Sequence, residues 1–199
     1  MDAHDRLVQD GCCPADPFTL LRLWAPADDD PGRPLATLAT VDDDGLPDAR
    51  TVVLTSVGDD AVTFHTDARS RKVDQLRALP RAALVVRWDE HARQVVLRGA
   101  AVEVSTEACR TAFARQSRYL QLLAWLNTSE LAVLPRAERE RRWAAFDAGH
   151  PVLDPPPSWA GFAVRPDDAL FWEGSEDGPS RRVRYRRTQD GWTQEALPG

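Results

Sequence analysis

From Leu35 onward the chain alternates apolar and polar positions in short runs that are separated by turn residues. Leu35–Val41, Ala49–Ser56 and Ala61–Thr66 are three such runs, divided by Asp43-Asp44-Gly45 and by Gly58-Asp59-Asp60. Ala82–Trp88 and Gln94–Val104 form another pair around Asp89-Glu90-His91. All are rich in β-branched residues, and period-two alternation broken by Gly and Asp predicts strands joined by tight turns. Beyond the rigid connector Leu153-Asp154-Pro155-Pro156-Pro157, the runs Trp159–Val164, Ala169–Trp172, Arg182–Arg187 and Trp192–Leu197 predict further strands. Closely spaced strands of this kind imply an antiparallel sheet curled into a small barrel.

Helical spacing appears in four places. Phe18, Leu20, Leu21, Leu23 and Trp24 follow Asp16-Pro17, a cap and a first-turn proline. Val73, Leu76 and Leu79 predict a short helix stopped by Pro80. Thr106 to about Asn127 reads as one long helix through Phe113, Leu120, Leu123 and Leu126, and Arg136–Asp147 as a charged helix after Pro135. The fold class is therefore mainly β with flanking helices (α+β). Residues 1–17 are polar and read as a loose N-terminal arm, with residues 18–199 as one domain. Pro26–Pro34 is a loop by composition, and its acidic triplet Asp28-Asp29-Asp30 lacks the ligand spacing of a calcium loop.

Composition removes several function classes. At 199 residues with 43% hydrophobic content, the chain can fill a real core. A net charge of −6 argues against a general nucleic-acid binder, whose footprint is basic. No apolar run approaches the roughly 20 residues that span a bilayer, and the acidic start Met1-Asp2-Ala3-His4-Asp5 is unlike a signal peptide. Cys12, Cys13 and Cys109 form neither a disulfide framework nor a zinc spacing, and the four histidines do not cluster. The expectation is a soluble cytoplasmic protein without a metal and without nucleic-acid or membrane partners.

Candidate chemistry concentrates after the Ala61–Thr66 strand. The turn Asp67-Ala68-Arg69-Ser70-Arg71-Lys72 brings a hydroxyl and three cations to the start of a helix, where free N–H groups and the positive dipole end point outward. That combination makes an anion site, most naturally for a phosphate. Lys72 is the only lysine among 25 basic residues, which suggests that this position needs a compact ammonium. A solvated charge run is the competing reading of the same turn. No Gly-x-Ser-x-Gly elbow, phosphate-binding Gly-x-x-x-x-Gly-Lys loop or Gly-x-Gly-x-x-Gly fingerprint is present. If the chain is an enzyme, a bound cofactor carries the hard chemistry.

An ordered set of short motifs goes further. Leu38-Ala39-Thr40-Val41-Asp42 and Gly45-x-Pro47 precede Arg50-Thr51-Val52-Val53-Leu54. Then follow Thr66, Ser70-Arg71-Lys72, Arg93-Gln94-Val95, Ala124-Trp125, Phe171-Trp172-Glu173-Gly174 and Arg182-x-x-Tyr185. From about Asp16 to Pro198 the chain resembles the pyridoxine (pyridoxamine) 5′-phosphate oxidase family, the FMN-dependent split barrels. The resemblance implies a six-stranded antiparallel split β-barrel and a homodimer with FMN at the subunit interface. Arg50, Arg71 and Lys72 match the family's FMN-phosphate cations, with Thr66 and Ser70 beside them and Val53 and Thr55 on the Arg50 strand. His65 stands where the family often has an aromatic residue. Gln94 matches the glutamine that addresses the flavin, and Trp172 and Arg182 match the pair near the ring. Ser129 occupies the place of a glutamine near the cofactor.

The substrate side departs from the family. Gly178 and Ser180 stand where the oxidases carry Arg and His, and Thr55 replaces a lysine. Ala112, Gln116 and Leu120 fall where the family has Tyr, Arg and Ser for the substrate phosphate, unless a helix shift brings Arg115 or Arg118 there. The resemblance thus implies an FMN-dependent oxidoreductase whose small-molecule substrate is not a phosphorylated B6 vitamer. The alternatives are a genuine pyridoxamine 5′-phosphate oxidase, a non-catalytic flavin-binding protein, and a split barrel that takes a deazaflavin.

Overall fold

The computed structural model describes residues 7–25 and 34–199. Residues 1–6, and residues 26–33 with the acidic triplet, lie outside the described residues. Eight strands form one antiparallel sheet: β1 (Leu35–Val41), β2 (Pro47–Val57), β3 (Val62–Asp67), β4 (Arg81–Trp88), β5 (Arg93–Glu103), β6 (Trp159–Glu173), β7 (Arg181–Thr188) and β8 (Gly191–Pro198). Their order is β3-β2-β1-β4-β5-β6-β7-β8, and an additional β3–β6 pairing closes the first six into a barrel. This is the barrel that the strand pattern and the family resemblance predict.

Strand β6 is where the barrel splits. Its first half, Trp159–Val164, pairs with β3, and its second half, Asp168–Glu173, pairs with β7. The sequence reads as two strands here because Pro166 interrupts the alternation. The chain instead runs through, because a register shift between Arg98 and Gly99 of β5 absorbs the irregularity. Gly99 is required at this crossing: a Cβ there would lie 2.0 Å from the Arg165 carbonyl oxygen.

The inward positions of the strands fill the barrel. Leu38, Phe64, Leu84, Val86, Val95, Leu97, Phe162 and Val164 are all buried, and Phe64 stacks on Phe162 with ring centroids 5.9 Å apart. Helix α2 (Pro17–Trp24) adds Phe18, Leu20, Leu21 and Trp24 to this core, and Trp24 meets Trp88 and Phe171 edge-on. The Asp16 carboxylate caps α2 by accepting from the backbone N–H groups of Phe18 at 3.3 Å and Thr19 at 3.1 Å. Loss of such a cap costs about 1 kcal/mol, so Asp16→Ala should lower the melting temperature by about 2–4 °C in a calorimetric scan.

From Leu7 onward the segment read as an arm lies on the barrel. Helix α1 (Leu7–Asp10) buries Leu7 and Val8. Gln9 donates its backbone N–H to the Glu173 carboxylate at 3.0 Å, and the Tyr185 hydroxyl donates to the Pro14 carbonyl at 2.8 Å.

Helix α3 (Arg71–Ala78) follows β3 and buries Val73, Gln75 and Leu76. The region expected as one helix over 106–127 is two: α4 (Thr106–Ala114) and α5 (Arg118–Leu126). Ser117 explains the break, since its hydroxyl accepts from the Leu120 N–H and starts a new helix. Short α6 (Ser129–Ala132) and long α7 (Arg136–Gly149) follow before β6, and α7 buries no residue.

Candidate active site

The Thr66 strand end and the first turn of α3 border a cavity of about 500 Å³. One wall comes from β2 and β3, with Thr51, Val52, Val53, Thr55, His65 and Thr66. The turn supplies Asp67, Arg69 and Ser70, and α3 supplies Lys72. The far wall comes from the α4–α5 connection and α5, with Gln116, Leu120, Leu123 and Ala124, then from Asn127 to Glu130, and Trp159 of β6 also lines the cavity. Volumes of this size suit a cofactor or a small ligand.

Of the residues singled out from the sequence, Val53, Thr55, His65, Thr66, Ser70, Lys72, Gln116, Leu120 and Ser129 all line this one cavity. They come from five separate stretches of chain. Ala112 lies just behind the wall, where its carbonyl accepts from the Gln116 amide at 3.4 Å. Gly178 and Ser180 belong to the β6–β7 connection and do not line it.

The cationic end is built with economy. Lys72 is half-buried and donates from Nζ to Thr66 Oγ1 at 3.0 Å. Among the described residues no carboxylate lies within ion-pairing distance of it. Burial pushes its pKa down, and the nearby Arg50 charge pushes the same way. Ser70, at the N-cap of α3, makes no capping bond; its hydroxyl donates to the Asp67 carbonyl at 2.7 Å. Among the described residues the N–H groups of Arg71 and Lys72 therefore stay available, while that of Val73 donates to the Ser70 carbonyl at 2.8 Å. Arg69 also borders the cavity but is engaged by the Asp67 carboxylate at 2.6 Å.

Arg50 and Arg71 sit next to this end without lining the cavity. Arg50 bonds Thr40 Oγ1 at 2.5 Å and Gln75 Oε1 at 2.9 Å, and pairs with Asp48 at 2.5 Å. Arg71 pairs with Asp42 at 2.8 Å and approaches Asp48 at 3.8 Å. Gln75 donates to Asp48 at 3.1 Å, and this bond is the main reason that the Asp48 carboxyl titrates below its ordinary value. Thr40, Gln75 and Asp48 were not singled out from the sequence. The available signal was weak: a polar Thr40 at an inward strand position and a polar Gln75 on the buried face of α3.

The middle of the cavity is neutral. The Thr55 hydroxyl donates to the Thr63 carbonyl at 3.0 Å and also meets His65 Nδ1 at 2.9 Å. The His65 ring stacks on Trp159 at 5.3 Å, 8° from parallel, and lies across Gly161, whose missing Cβ would sit 2.6 Å from it. Opposite stand Leu120, Leu123, Ala124 and the buried amide of Gln116. Neither Arg115 nor Arg118 lines the cavity, and Arg118 is tied to Asp147 at 2.7 Å.

Gln94, Trp172 and Arg182 are brought together elsewhere. They are direct cross-strand partners on β5, β6 and β7, so their side chains form one row on one face of the sheet. None of the three lines the cavity within the same chain.

Comparisons with known proteins agree with this architecture. A family model described as pyridoxamine 5′-phosphate oxidase matches residues 31–148, and a second, described as the pyridoxine 5′-phosphate oxidase C-terminal dimerisation region, matches residues 159–198. The chain is 38% identical over 185 residues to a pyridoxine/pyridoxamine 5′-phosphate oxidase of Acidothermus cellulolyticus, covering 89% of this chain and 82% of that protein. To the protein of the same name from Rubrobacter xylanophilus it is 39% identical over 158 residues, covering 78% and 72%. Among solved structures, PhzG from Burkholderia lata, in complex with tetrahydrophenazine-1-carboxylic acid, superposes with a TM-score of 0.81 at 26% identity, covering 98% of this chain and 96% of that one. With its closed barrel, its split at β6 and these matches along most of its length, the chain belongs to the pyridoxamine 5′-phosphate oxidase family.

Proposed function

We propose that the protein is an FMN-dependent oxidoreductase of the oxidase type, acting on a small molecule that carries no phosphate at the α4–α5 wall. The observation that carries this reading is the contrast between the two ends of the cavity. At one end stands Lys72, a half-buried cation without a carboxylate partner among the described residues, beside two hydroxyls and open helix N–H groups. Such a donor set fits the dianionic phosphate of FMN. Away from that end, Thr55 in the middle and Gln116 and Leu120 opposite it offer hydroxyl, amide and alkyl groups but no charge.

When FMN is bound there, the chemistry supplied is two-electron oxidation by hydride acceptance from a reduced carbon or amine. The chain's own share is binding and orientation. Lys72, Thr66 and Ser70 hold the phosphate, while Val53, Thr55 and the clamped His65 shape the cavity behind it. The Gln94–Trp172–Arg182 row lies outside the cavity of its own chain, so it serves the flavin ring of a second subunit. That division supports a homodimer, as does the match of residues 159–198 to a dimerisation region. A cytoplasmic enzyme is the setting this reading implies. The solved relative holding tetrahydrophenazine-1-carboxylic acid supports a non-phosphorylated substrate, because that ligand is a carboxylic acid.

A genuine pyridoxamine 5′-phosphate oxidase is the second reading, favoured by the 38% identity to a protein of that name. It requires a cation that the far wall of the cavity lacks.

Purified protein should show a flavin absorption band, release FMN on heating, and sediment as a dimer of the 22.1 kDa chain. A colourless protein that takes up no added FMN, or an FMN-loaded monomer at micromolar concentration, would overturn the reading.

A further inference from the structure

Asp48 lies at the centre of the cationic cluster that borders the cavity. Its carboxylate pairs with Arg50 at 2.5 Å and faces Arg71 at 3.8 Å. The Gln75 amide fixes it in place at 3.1 Å, while Gln75 Oε1 and Thr40 Oγ1 accept from the same Arg50 guanidinium. Asp48 and Arg50 keep only 31% and 19% of their side-chain surface in solvent, so the pair is only partly screened. Both groups also act on the neighbouring ammonium: the Arg50 charge lowers the Lys72 pKa and the Asp48 charge raises it. One carboxylate thus contacts two of the three cations implied for the FMN phosphate and is electrostatically coupled to the third.

We propose that Asp48 is a resident counter-anion that competes with the flavin phosphate for Arg50 and Arg71, and so sets the affinity for the cofactor. The inference rests on the FMN reading above. An anion arriving beside Lys72 must share these guanidinium groups with Asp48 or draw them away from it. It also meets the repulsion of a fixed negative charge. The carboxylate has a structural use of its own, because it compensates Arg50 beside Lys72, while Arg71 has its main partner in Asp42 at 2.8 Å. Its cost falls on the phosphate and not on the ring, so Asp48 narrows the preference for FMN over riboflavin. The carboxyl titrates below its ordinary value, chiefly through the Gln75 bond, so this competitor stays charged at neutral pH.

The test is a pair of fluorescence titrations of apoprotein with FMN and with riboflavin, on the native chain, Asp48→Asn and Asp48→Ser. Asparagine keeps the shape and the Gln75 contact while removing the charge, and serine guards against a fold defect peculiar to the amide. Removing one partly screened competing charge should tighten FMN binding about fivefold in both variants while leaving riboflavin unchanged. Unchanged or weaker FMN binding in the variants would mean that Asp48 preorganises Arg50 instead of competing, and the proposal fails. Equal tightening of riboflavin would fail it too, since the effect would then bypass the phosphate. A native chain that binds neither flavin overturns the FMN reading itself and this inference with it.

Discussion

Given pyridoxamine 5′-phosphate or pyridoxine 5′-phosphate under air, the FMN-loaded protein should form pyridoxal phosphate more than about tenfold slower than a bona fide oxidase, because the reacting group is poorly held. A phosphate bound at the α4–α5 wall needs charge-assisted donors, each contributing roughly 1.5–3 kcal/mol. Gln116 there is a buried neutral amide already turned toward the Ala112 carbonyl, and Leu120 has nothing to donate. The Thr55 hydroxyl is spent on the Thr63 carbonyl. Arg118, which the sequence offers as a compensating cation, is held by Asp147 and by the His150 carbonyl. The assay is pyridoxal phosphate formation with the authentic enzyme in parallel. Turnover within tenfold of that control would show that a cation from elsewhere rebuilds the cradle, and the substrate side of the proposal would fall while the FMN assignment stood.

The second large effect is expected at Lys72. Lys72→Ala should weaken FMN binding by at least about tenfold, or 1.4 kcal/mol, with little change for riboflavin. Among the described residues its Nζ holds only the Thr66 hydroxyl, so no ion pair with them has to break before the phosphate is met. Arg50, by contrast, is engaged by Asp48, Gln75 and Thr40, and part of any loss in Arg50→Ala reflects the collapse of that network. Lys72→Arg should recover only part of the affinity, because a planar fork does not reproduce a compact ammonium in a half-buried corner. Titration of apoprotein by flavin fluorescence measures all of this. Equal loss of riboflavin and FMN in Lys72→Ala would remove the phosphate from the argument.

Much of the fold was legible because alternation and turn chemistry are local. The β1–β2 hairpin shows why: Gly45 takes a left-handed φ of 79°, and Asp42 Oδ1 accepts from the N–H groups of Asp44 and Leu46. What local pattern cannot carry is a compromise between distant segments. Pro166 reads as a strand end, yet β6 passes through it because Gly99, far away in sequence, lets the two backbones close up. The break at Ser117 was available in principle as a capping residue inside an apolar period, but Phe113, in step with Leu120 and Leu123 across it, hid it. At the cavity, ordered motifs brought the right residues together, Lys72 and His65 among them. The pairing of Arg50 with Asp48 was only half legible: period two puts residues 48 and 50 on one strand face, but nothing local says that Thr40 and Gln75 meet them there.

The dual pairing of β6 also fixes the order in which the protein can be made. Its contacts with β3 join residues 62–67 to residues 159–164, a separation of 92 to 102 positions between paired residues. Until β6 leaves the ribosome, the nascent chain holds β1 to β5 with both outer edges, those of β3 and β5, unsatisfied. Open edges of this kind recruit other chains, and closure across so long a separation is slow. Segments α4 to α7 are synthesised during this interval and postpone it further. A chain stopped before Trp159 is therefore not a smaller version of the protein. It is an open sheet with two adhesive margins, a substrate for chaperones and a seed for aggregation.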